Sequence, residues 1–163
     1  MFKLLQQSSV QLVIFYLNTK TVSTVANILT RKGSNVVKVS PNTSVIDALN
    51  IMADKNIGSV VVMEGDDFLG IMTERDYSRK VVLKGRSSEQ TTVADIMTSD
   101  FPSVTPDANI SECVQLMSSN KLRYLPVIVR GELIGIISIN DVVTETIVSQ
   151  SETINYLQNY IQS

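Results

Sequence analysis

Two short stretches of the sequence, GIMTERD at residues 70–76 and GIISIND at residues 135–141, follow one pattern. Each contains a glycine, two apolar residues, a hydroxyl residue, two variable residues and an aspartate, and the two lie 65 residues apart (135 minus 70). A second pair of matches, TVANILT at 24–30 and TVADIMT at 92–98, precedes them at an offset of 68 (92 minus 24). Similarity at a nearly constant spacing indicates an internal duplication.

The first copy predicts the order strand, helix, strand, strand, helix. Ser44 is expected to cap the first helix, with Asp47 in its first turn. The second helix is expected to begin at Thr73 and to stop near Gly85. The segments are VVKVSPNTS (36–44), SVIDALNIMADKN (44–56), the hairpin GSVVVMEGDDFLGIM (58–72) and TERDYSRKVVLKG (73–85). The apolar positions of the first helix are Val45, Ile46, Leu49, Met52 and Ala53.

The second copy predicts the same order. Asn109, followed three residues later by Glu112, has the spacing of a capping box at the start of a helix. The segments are the strand PSVTPD (102–107), the helix NISECVQLMSSNK (109–121), the hairpin LRYLPVIVRGELIGII (122–137) and the helix SINDVVTETIVSQ (138–150). A final stretch, SETINYLQNYIQS (151–163), has Ile154, Leu157 and Ile161 at helical spacing. Its apolar stripe needs a partner, either this chain or a second copy.

These elements predict a mixed α/β (α+β) fold of two β-α-β-β-α repeats. One such repeat cannot hide both faces of its sheet, so the two repeats are expected to pack together with pseudo-twofold symmetry. The expected divisions are an N-terminal extension over 1–21, repeat one over 22–86, repeat two over 87–149 and a helical tail over 150–163. The extension contains the apolar run 12–17, which is too short to span a bilayer. We expect there an additional strand or helix, or a poorly ordered segment, and no signal peptide.

The composition excludes several functional classes. A net charge of −2 offers no basic face for nucleic acid, and we expect neither nucleic acid nor a membrane as a partner. The absence of histidine removes imidazole bases, imidazole metal ligands and the usual triads, so we predict no catalytic and no metal site. The single Cys113 favours a reducing compartment, the cytoplasm, and is predicted to be a core residue. It is placed on one helix face with Ile110, Val114 and Met117.

The hydroxyl and the aspartate of each motif allow two interpretations. They can form a capping box at a helix start, although aspartate is shorter than glutamate and should reach back less well. Alternatively, free amides and the hydroxyl at a helix N-terminus can bind phosphate, while the carboxylate accepts the two hydroxyls of a ribose. The short reach of aspartate and the free amides that point to one spot favour the second interpretation, a nucleotide clamp.

With GIMTERD and GIISIND in register, residues 22–149 resemble a tandem pair of CBS domains, also called a Bateman domain. The stretch TERDYSRKVVLKGRSS is similar to sequences of small stand-alone CBS-pair proteins. The resemblance implies binding of AMP, ADP or ATP, and sometimes NAD or S-adenosylmethionine, in clefts between the repeats. It also implies a flat, disc-like homodimer and a regulatory role toward an unknown partner. No cofactor is expected to be required.

The resemblance further implies which residues form the clefts. The first would combine Thr73, Arg75 and Asp76 with Leu122, Arg123 and Tyr124. The second would combine Ser138, Asn140 and Asp141 with Ile57, Gly58, Ser59, Val37 and Lys38. The aspartates would hold the ribose, and the hydroxyls would face phosphate.

We expect the two clefts to differ in charge. Asn140 and Gly58 replace Arg75 and Arg123 in the second, so nucleotide should bind more tightly in the first. Tyr124 would pack on a base or be an ordinary half-buried strand residue. The basic run SRKVVLKGRSS (78–88) is either a polyanion patch or a solvated helix end. A purely structural dimerisation module without ligand is the alternative function, and catalysis is not expected.

Overall fold

The computed structural model describes residues 23–162, so the predicted extension and its apolar run lie outside the described residues. Element order agrees with the predicted duplication. The elements are α1 (Val25–Lys32), β1 (Lys38–Val39), α2 (Val45–Lys55), β2 (Ser59–Glu64), β3 (Asp67–Thr73), α3 (Glu74–Lys80), a 3₁₀ turn (Val82–Lys84), α4 (Val93–Ile96), α5 (Ile110–Asn120), β4 (Tyr124–Val129), β5 (Glu132–Ser138) and α6 (Ile139–Gln162). No helix in this part of the chain has the length and apolar character needed to cross a membrane.

The two sheets differ in their first strand. In repeat one, β1 pairs in parallel with β2, which pairs antiparallel with β3. In repeat two, β4 and β5 form an antiparallel pair, and the strand predicted over 102–107 is reduced to a single parallel bridge between Val104 and Val127. Pro102 and Pro106 flank Val104, and because proline has no amide hydrogen the ladder cannot extend past either of them.

The two hairpins match in register. Gly70 of β3 lies opposite Val62, and Gly135 of β5 lies opposite Val127. In both hairpins the pairing shifts by a bulge directly after that valine. The duplication therefore extends from the sequence motif to the local geometry of the strands.

The segment that precedes the first strand of each repeat is named here its leader, residues 24–32 for the first and 92–98 for the second. The two leaders are exchanged between the repeats. Val25 of α1 is fully buried in the core of repeat two, and its amide donates to the carbonyl of Ala108 over 3.0 Å. Val93 of α4 is buried in the core of repeat one, and its amide donates to Thr43 over 2.8 Å. Each repeat thus completes its core with a helix from the other, which joins the two into one body.

The motif glycines make room for these leaders. A Cβ at Gly70 would lie 2.4 Å from the carbonyl oxygen of Thr98, and one at Gly135 would lie 2.8 Å from Cδ2 of Leu29. The main chains of Ile71 and Thr98 exchange two hydrogen bonds of 2.9 Å, so the second leader adds to the edge of β3. Glycine is required at position 70 because the backbone of Thr98 approaches it so closely.

The predicted helix starts are confirmed, while three face assignments are wrong. Ser44 and Asn109 cap α2 and α5, and Glu112 closes the predicted capping box. Cys113 is buried as predicted, but Val114, the next residue along α5, is 43% exposed because adjacent residues point to different faces. Ile46 and Ala53 are likewise exposed on α2, where Ala48 is buried instead.

The last two predicted helices form one continuous helix, α6, of 24 residues. Val142 and Glu145 are buried against the body, and Glu145 forms an ion pair with Arg31 of α1. A row of outward residues follows heptad spacing and is named here the α6 stripe. It consists of Val143, Ile147, Gln150, Ile154, Leu157 and Ile161. Ile154 is 54% exposed and Ile161 81% exposed.

Candidate functional site

Both motif aspartates fold back onto the starts of their own helices. Oδ2 of Asp76 accepts from the amide of Thr73 over 3.0 Å and from its hydroxyl over 2.7 Å. The Thr73 hydroxyl in turn accepts from the amide of Asp76 over 3.1 Å. Ser138 and Asp141 make the same three contacts at 2.7, 2.8 and 3.2 Å. The expectation that aspartate would reach back poorly is therefore wrong, because here the N-cap backbone and hydroxyl share a single carboxylate oxygen.

A capping box with aspartate does not by itself mark a ligand site in this protein. Thr92 and Asp95 form the same box at the start of α4, where the Thr92 amide donates to Asp95 over 2.9 Å. That carboxyl has a pKa below its usual range because it accepts from the backbone and the hydroxyl of Thr92. The boxes at Thr73 and Ser138 differ from it in location, because they border cavities between the repeats.

Most amides at these helix starts are already bonded. In α3, the amide of Glu74 donates to the carbonyl of Gly58 over 3.2 Å, and those of Thr73 and Asp76 join the capping box. In α6, the amide of Ile139 donates to the carbonyl of Arg123 over 2.9 Å. The predicted cluster of free amides is therefore wrong at all four of these positions, and these helix starts offer an anion mainly side chains.

The first cavity, named here the Thr73 cleft, has a volume of about 320 Å³ and is formed by both repeats and the second leader. All six residues predicted for it border the space. The lining consists of Gly58, Thr73, Glu74, Arg75, Asp76, Arg79, Lys80, Thr98, Phe101, Asn120, Lys121, Leu122, Arg123 and Tyr124.

The second cavity, named here the Ser138 cleft, has a volume of about 420 Å³ and includes residues of the first leader and the segment that follows it. Seven of its eight predicted residues border it, and Lys38 does not. Side chains alternate along a strand, so the exposed Lys38 projects from the opposite side to Val37. The lining consists of Lys32, Asn35, Val36, Val37, Asn56, Ile57, Gly58, Ser59, Val61, Arg123, Tyr124, Ile136, Ser138, Ile139, Asn140 and Asp141.

The two carboxylates have different partners. In the Thr73 cleft, Oδ1 of Asp76 lies 2.8 Å from Nζ of Lys80 and accepts from the Thr98 hydroxyl over 3.2 Å. In the Ser138 cleft, Oδ2 of Asp141 lies 2.7 Å from Nζ of Lys32. Burial alone would raise the pKa of Asp141, but hydrogen bonds from Lys32 and Ser138 outweigh it and hold the pKa below its usual range.

The Thr73 cleft contains more positive charge than the Ser138 cleft. Five cationic and two acidic side chains line the first, a formal balance of +3 (5 minus 2). Two cationic and one acidic side chain line the second, a balance of +1 (2 minus 1). Arg79 and Lys80 belong to the basic run that the sequence left ambiguous, whereas Lys84 and Arg86 border neither cleft.

Sequence reasoning missed several lining residues. Lys32 and Asn35 come from the first leader and the loop after it, and they reach the Ser138 cleft only because the leaders are exchanged. Lys121 and Phe101 line the Thr73 cleft, and Nη1 of Arg75 donates to the Lys121 carbonyl over 3.1 Å across the repeat boundary. A pseudo-twofold superposition of the repeats with exchanged leaders would have been needed to find them.

The described residues show no metal-ligand cluster and no exposed thiol. Between residues 23 and 162, no group of three or more cysteine or acidic side chains is placed to hold a metal ion. Cys113 is fully buried, and burial raises the pKa of its thiol, so little of it is thiolate at neutral pH. The clefts thus offer cations, a carboxylate, a hydroxyl and an aromatic side chain, which are groups for binding.

Comparison with known proteins agrees with the duplication. The family model "CBS domain" matches residues 22–82 and 93–147. The chain is 36% identical over 149 residues to CBS domain-containing protein CBSX3, mitochondrial, of Arabidopsis thaliana, which covers 86% of this chain and 72% of that one. The structure of a candidate signal-transduction protein with CBS domains from Burkholderia ambifaria matches with a TM-score of 0.76 and 47% identity, over 78% of this chain and 96% of that one.

A further similar structure is that of a protein described as hexameric. The hexameric CBS-CP12 protein from bloom-forming cyanobacteria matches with a TM-score of 0.65 and 30% identity, over 75% of this chain and 70% of that one. The two ranges of the family model fall one within each internal repeat of the present chain, and the fold matches those solved structures. The chain therefore belongs to the CBS-domain family, as a tandem pair of CBS domains.

Proposed function

We propose that the chain is a regulatory module that binds adenosine nucleotides (AMP, ADP, ATP or NAD) in the two clefts between its repeats. The observation that carries this proposal is that each cleft combines a motif hydroxyl and aspartate from one repeat with Arg123 and Tyr124. A mononucleotide needs an acceptor for its ribose, cations for its phosphate and an apolar surface for its base, and each cleft supplies all three kinds of group.

Binding requires an exchange of partners at Asp76 but not at Asp141. In the Ser138 cleft, the contacts from Lys32 and from the capping box all go to Oδ2 of Asp141, so Oδ1 would accept the ribose hydroxyls without displacing the Lys32 ammonium. In the Thr73 cleft, ribose would compete with Lys80 and Thr98 for Oδ1 of Asp76. In both clefts the capping contacts to Oδ2 hold the carboxylate in one orientation before the ligand arrives.

The charge difference favours the Thr73 cleft for phosphate. Arg75 and Lys121 are held near each other by the hydrogen bond between guanidinium and carbonyl, so less conformational freedom is lost on binding. Charge-assisted contacts are stronger than those to an amide such as Asn140. We therefore expect the Thr73 cleft to bind AMP more tightly than the Ser138 cleft.

A nucleotide in either cleft contacts both repeats and thereby couples binding to their relative packing. Such a ligand shifts an equilibrium between two packings only by its difference in affinity for them. The output is expected to be a change in conformation or assembly that a separate protein detects. We infer no catalytic activity: the hydroxyls of Thr73 and Ser138 do donate to Asp76 and Asp141, but each carboxylate also accepts from the N-cap amide and lies beside a lysine, which suits a helix cap rather than a general base. The single buried cysteine fits a reducing compartment such as the cytoplasm.

Self-association is part of the proposal. The α6 stripe faces away from the body, because Val142 and Glu145 on the same helix are buried on the other side. Its residues alternate at spacings of three and four, the pattern by which two helices pack as a coiled coil. Glu152 lies away from the stripe in this register, so a second copy would meet no like charge. A homodimer joined at least through α6 is the arrangement that we propose.

Calorimetry and thermal melting with AMP, ADP, ATP and NAD test the proposal. A ligand that binds only the folded state raises the melting temperature, with a stabilisation of about 2.7 kcal/mol at one hundred times the Kd. A purely structural dimerisation module, which the α6 stripe would also suit, shows no shift with any nucleotide at millimolar concentration. Absence of binding in both measurements would reject the nucleotide-binding role.

A further inference from the structure

The two clefts share part of their lining. Gly58, Arg123 and Tyr124 border both the Thr73 cleft and the Ser138 cleft, whereas the other lining residues border only one. Gly58 and Arg123 are equivalent positions of the two repeats, at an offset of 65 (123 minus 58). The clefts are therefore neighbours across one wall, with a single arginine where the duplication would allow two.

The packing of this wall explains the missing second cation. A Cβ at Gly58 would lie 2.8 Å from the hydroxyl of Tyr124, and 3.5 Å from a carboxylate oxygen of Glu74. A side chain at position 58 would therefore have to displace the Tyr124 hydroxyl from its place in the wall. Tyr124 from repeat two fills the space instead, and the positive charge of the wall comes from Arg123 alone.

Arg123 is placed to serve either cleft. Its side chain is exposed. Its guanidinium makes no ion pair and no side-chain hydrogen bond with any residue between 23 and 162. Arg75, by contrast, is fixed to the Lys121 carbonyl and borders the Thr73 cleft only. A guanidinium binds a phosphate in a planar, bidentate geometry, so Arg123 can bind one phosphate in this way at a time.

We propose that Arg123 is a phosphate contact shared by the two clefts, and that the clefts therefore bind anionic nucleotides antagonistically. The nucleotide that binds first takes the guanidinium, and the second binds without it, beside a phosphate of like charge. This inference rests on the proposed nucleotide binding and adds a regulation to it: the occupancy of one cleft sets the affinity of the other. Because coupling of two binding equilibria is reciprocal, the same factor applies whichever cleft fills first.

The test is a titration with AMP followed by NMR, with one reporter for each cleft. The backbone amide of Thr98 reports on the Thr73 cleft and that of Asn35 on the Ser138 cleft. Asn120→Trp blocks the Thr73 cleft with an uncharged side chain at an exposed residue of its rim. Asn140→Trp, also at an exposed residue, does the same for the Ser138 cleft. The reporter of the blocked cleft verifies that it stays empty.

The cleft that fills second in the wild type should bind AMP about tenfold more tightly when the other cleft is blocked. Adding Arg123→Gln should reduce this gain to less than about threefold, because no shared cation remains to be released. Arg75→Gln, the matched control within one cleft, should weaken the Thr73 cleft and leave the Ser138 cleft unchanged when the Thr73 cleft is blocked.

Equal affinities with the neighbouring cleft filled or blocked would overturn the inference and leave nucleotide binding intact. The same conclusion follows if Arg123→Gln weakens only one of the two singly open clefts. A wild-type chain that binds no AMP, ATP or NAD at all would instead overturn the proposed function, and the inference with it.

Discussion

Nζ of Lys32 lies 2.7 Å from Oδ2 of Asp141, and this contact joins the helix of the first leader to the motif of the second repeat. The contact stabilises the exchanged leader and at the same time engages one oxygen of the carboxylate that is proposed to hold a ribose. The same pair therefore connects the stability of the fold with the state of the Ser138 cleft.

The first prediction concerns acid stability. The folded pKa of Asp141 is below its usual range, so its contribution is fully present above the unfolded value of about 3.9 and is lost as the pH falls through the folded pKa. Asp141→Asn should therefore show a smaller loss of stability than the wild type as the pH falls below about 4. Urea unfolding at a series of pH values measures this loss.

Asp66→Asn makes the same chemical change at an exposed hairpin turn and serves as the control. It should keep the wild-type dependence on pH. If Asp141→Asn also keeps it, the contact with Lys32 does not stabilise the folded protein.

The second prediction concerns the motif glycines. Gly70→Ala places a Cβ 2.4 Å from the backbone oxygen of Thr98. Because two main-chain hydrogen bonds hold Thr98 to Ile71, this bridge must open or shift. Gly135→Ala meets only the end of the Leu29 side chain, at 2.8 Å, and that side chain can rotate. Gly70→Ala should cost about 1–3 kcal/mol and Gly135→Ala clearly less.

Urea unfolding at neutral pH measures both free energies. Combining Gly135→Ala with Leu29→Ala should remove the steric part of its cost, while no side-chain substitution at Thr98 should rescue Gly70→Ala. Equal costs at the two glycines would mean that the second leader is not fixed to β3 as described.

Local signals explain why much of this fold was predictable. Apolar periodicity, turn residues and capping spacings act over a few residues, and they correctly predicted the helix starts at Ser44, Thr73 and Asn109. The exchange of leaders was not predictable in this way, because it depends on packing between segments that lie far apart in the sequence. The strand predicted over 102–107 was wrong, because Pro102 and Pro106, both visible in the sequence, limit the pairing to one bridge at Val104.

In the candidate site, too, some residues could be predicted from the sequence and others could not. The motif residues could be located from the repeat, and the resemblance added the opposite wall at Leu122, Arg123 and Tyr124. Lys32 was missed because it depends on the exchange of leaders, and Lys38 was included although strand alternation turns it away. The first error concerns long-range packing, on which a sequence motif contains no direct information, whereas the second could have been avoided by the local alternation of side chains along a strand.

The third prediction compares the three aspartates that form identical capping boxes. Asp76→Ala and Asp141→Ala should each weaken AMP binding to their own cleft by about 1.5–3 kcal/mol, with the larger loss of total affinity for Asp76→Ala. Asp95→Ala removes the same kind of cap from α4, away from both clefts, and should leave AMP binding unchanged. Isothermal titration calorimetry on the three variants separates a capping role from a ligand role.

Two results would contradict this prediction. Equal losses for Asp76→Ala and Asp141→Ala would reject the expected difference between the clefts. A loss for Asp95→Ala as large as theirs would show that the aspartates act on binding only through the stability of their helices.

The last prediction concerns assembly. Ile154 is a central position of the α6 stripe, and Asn155 is the next residue on the same helix, outside the stripe. Ile154→Asp places a charge in the proposed helix pair and should shift the chain from dimer to monomer, because an unpaired charge between two packed helices is strongly unfavourable. Asn155→Asp adds the same charge beside the stripe and should leave the dimer intact. Sedimentation equilibrium over a range of protein concentrations gives the dissociation constant of each variant, and an unchanged constant for Ile154→Asp would exclude α6 from the interface.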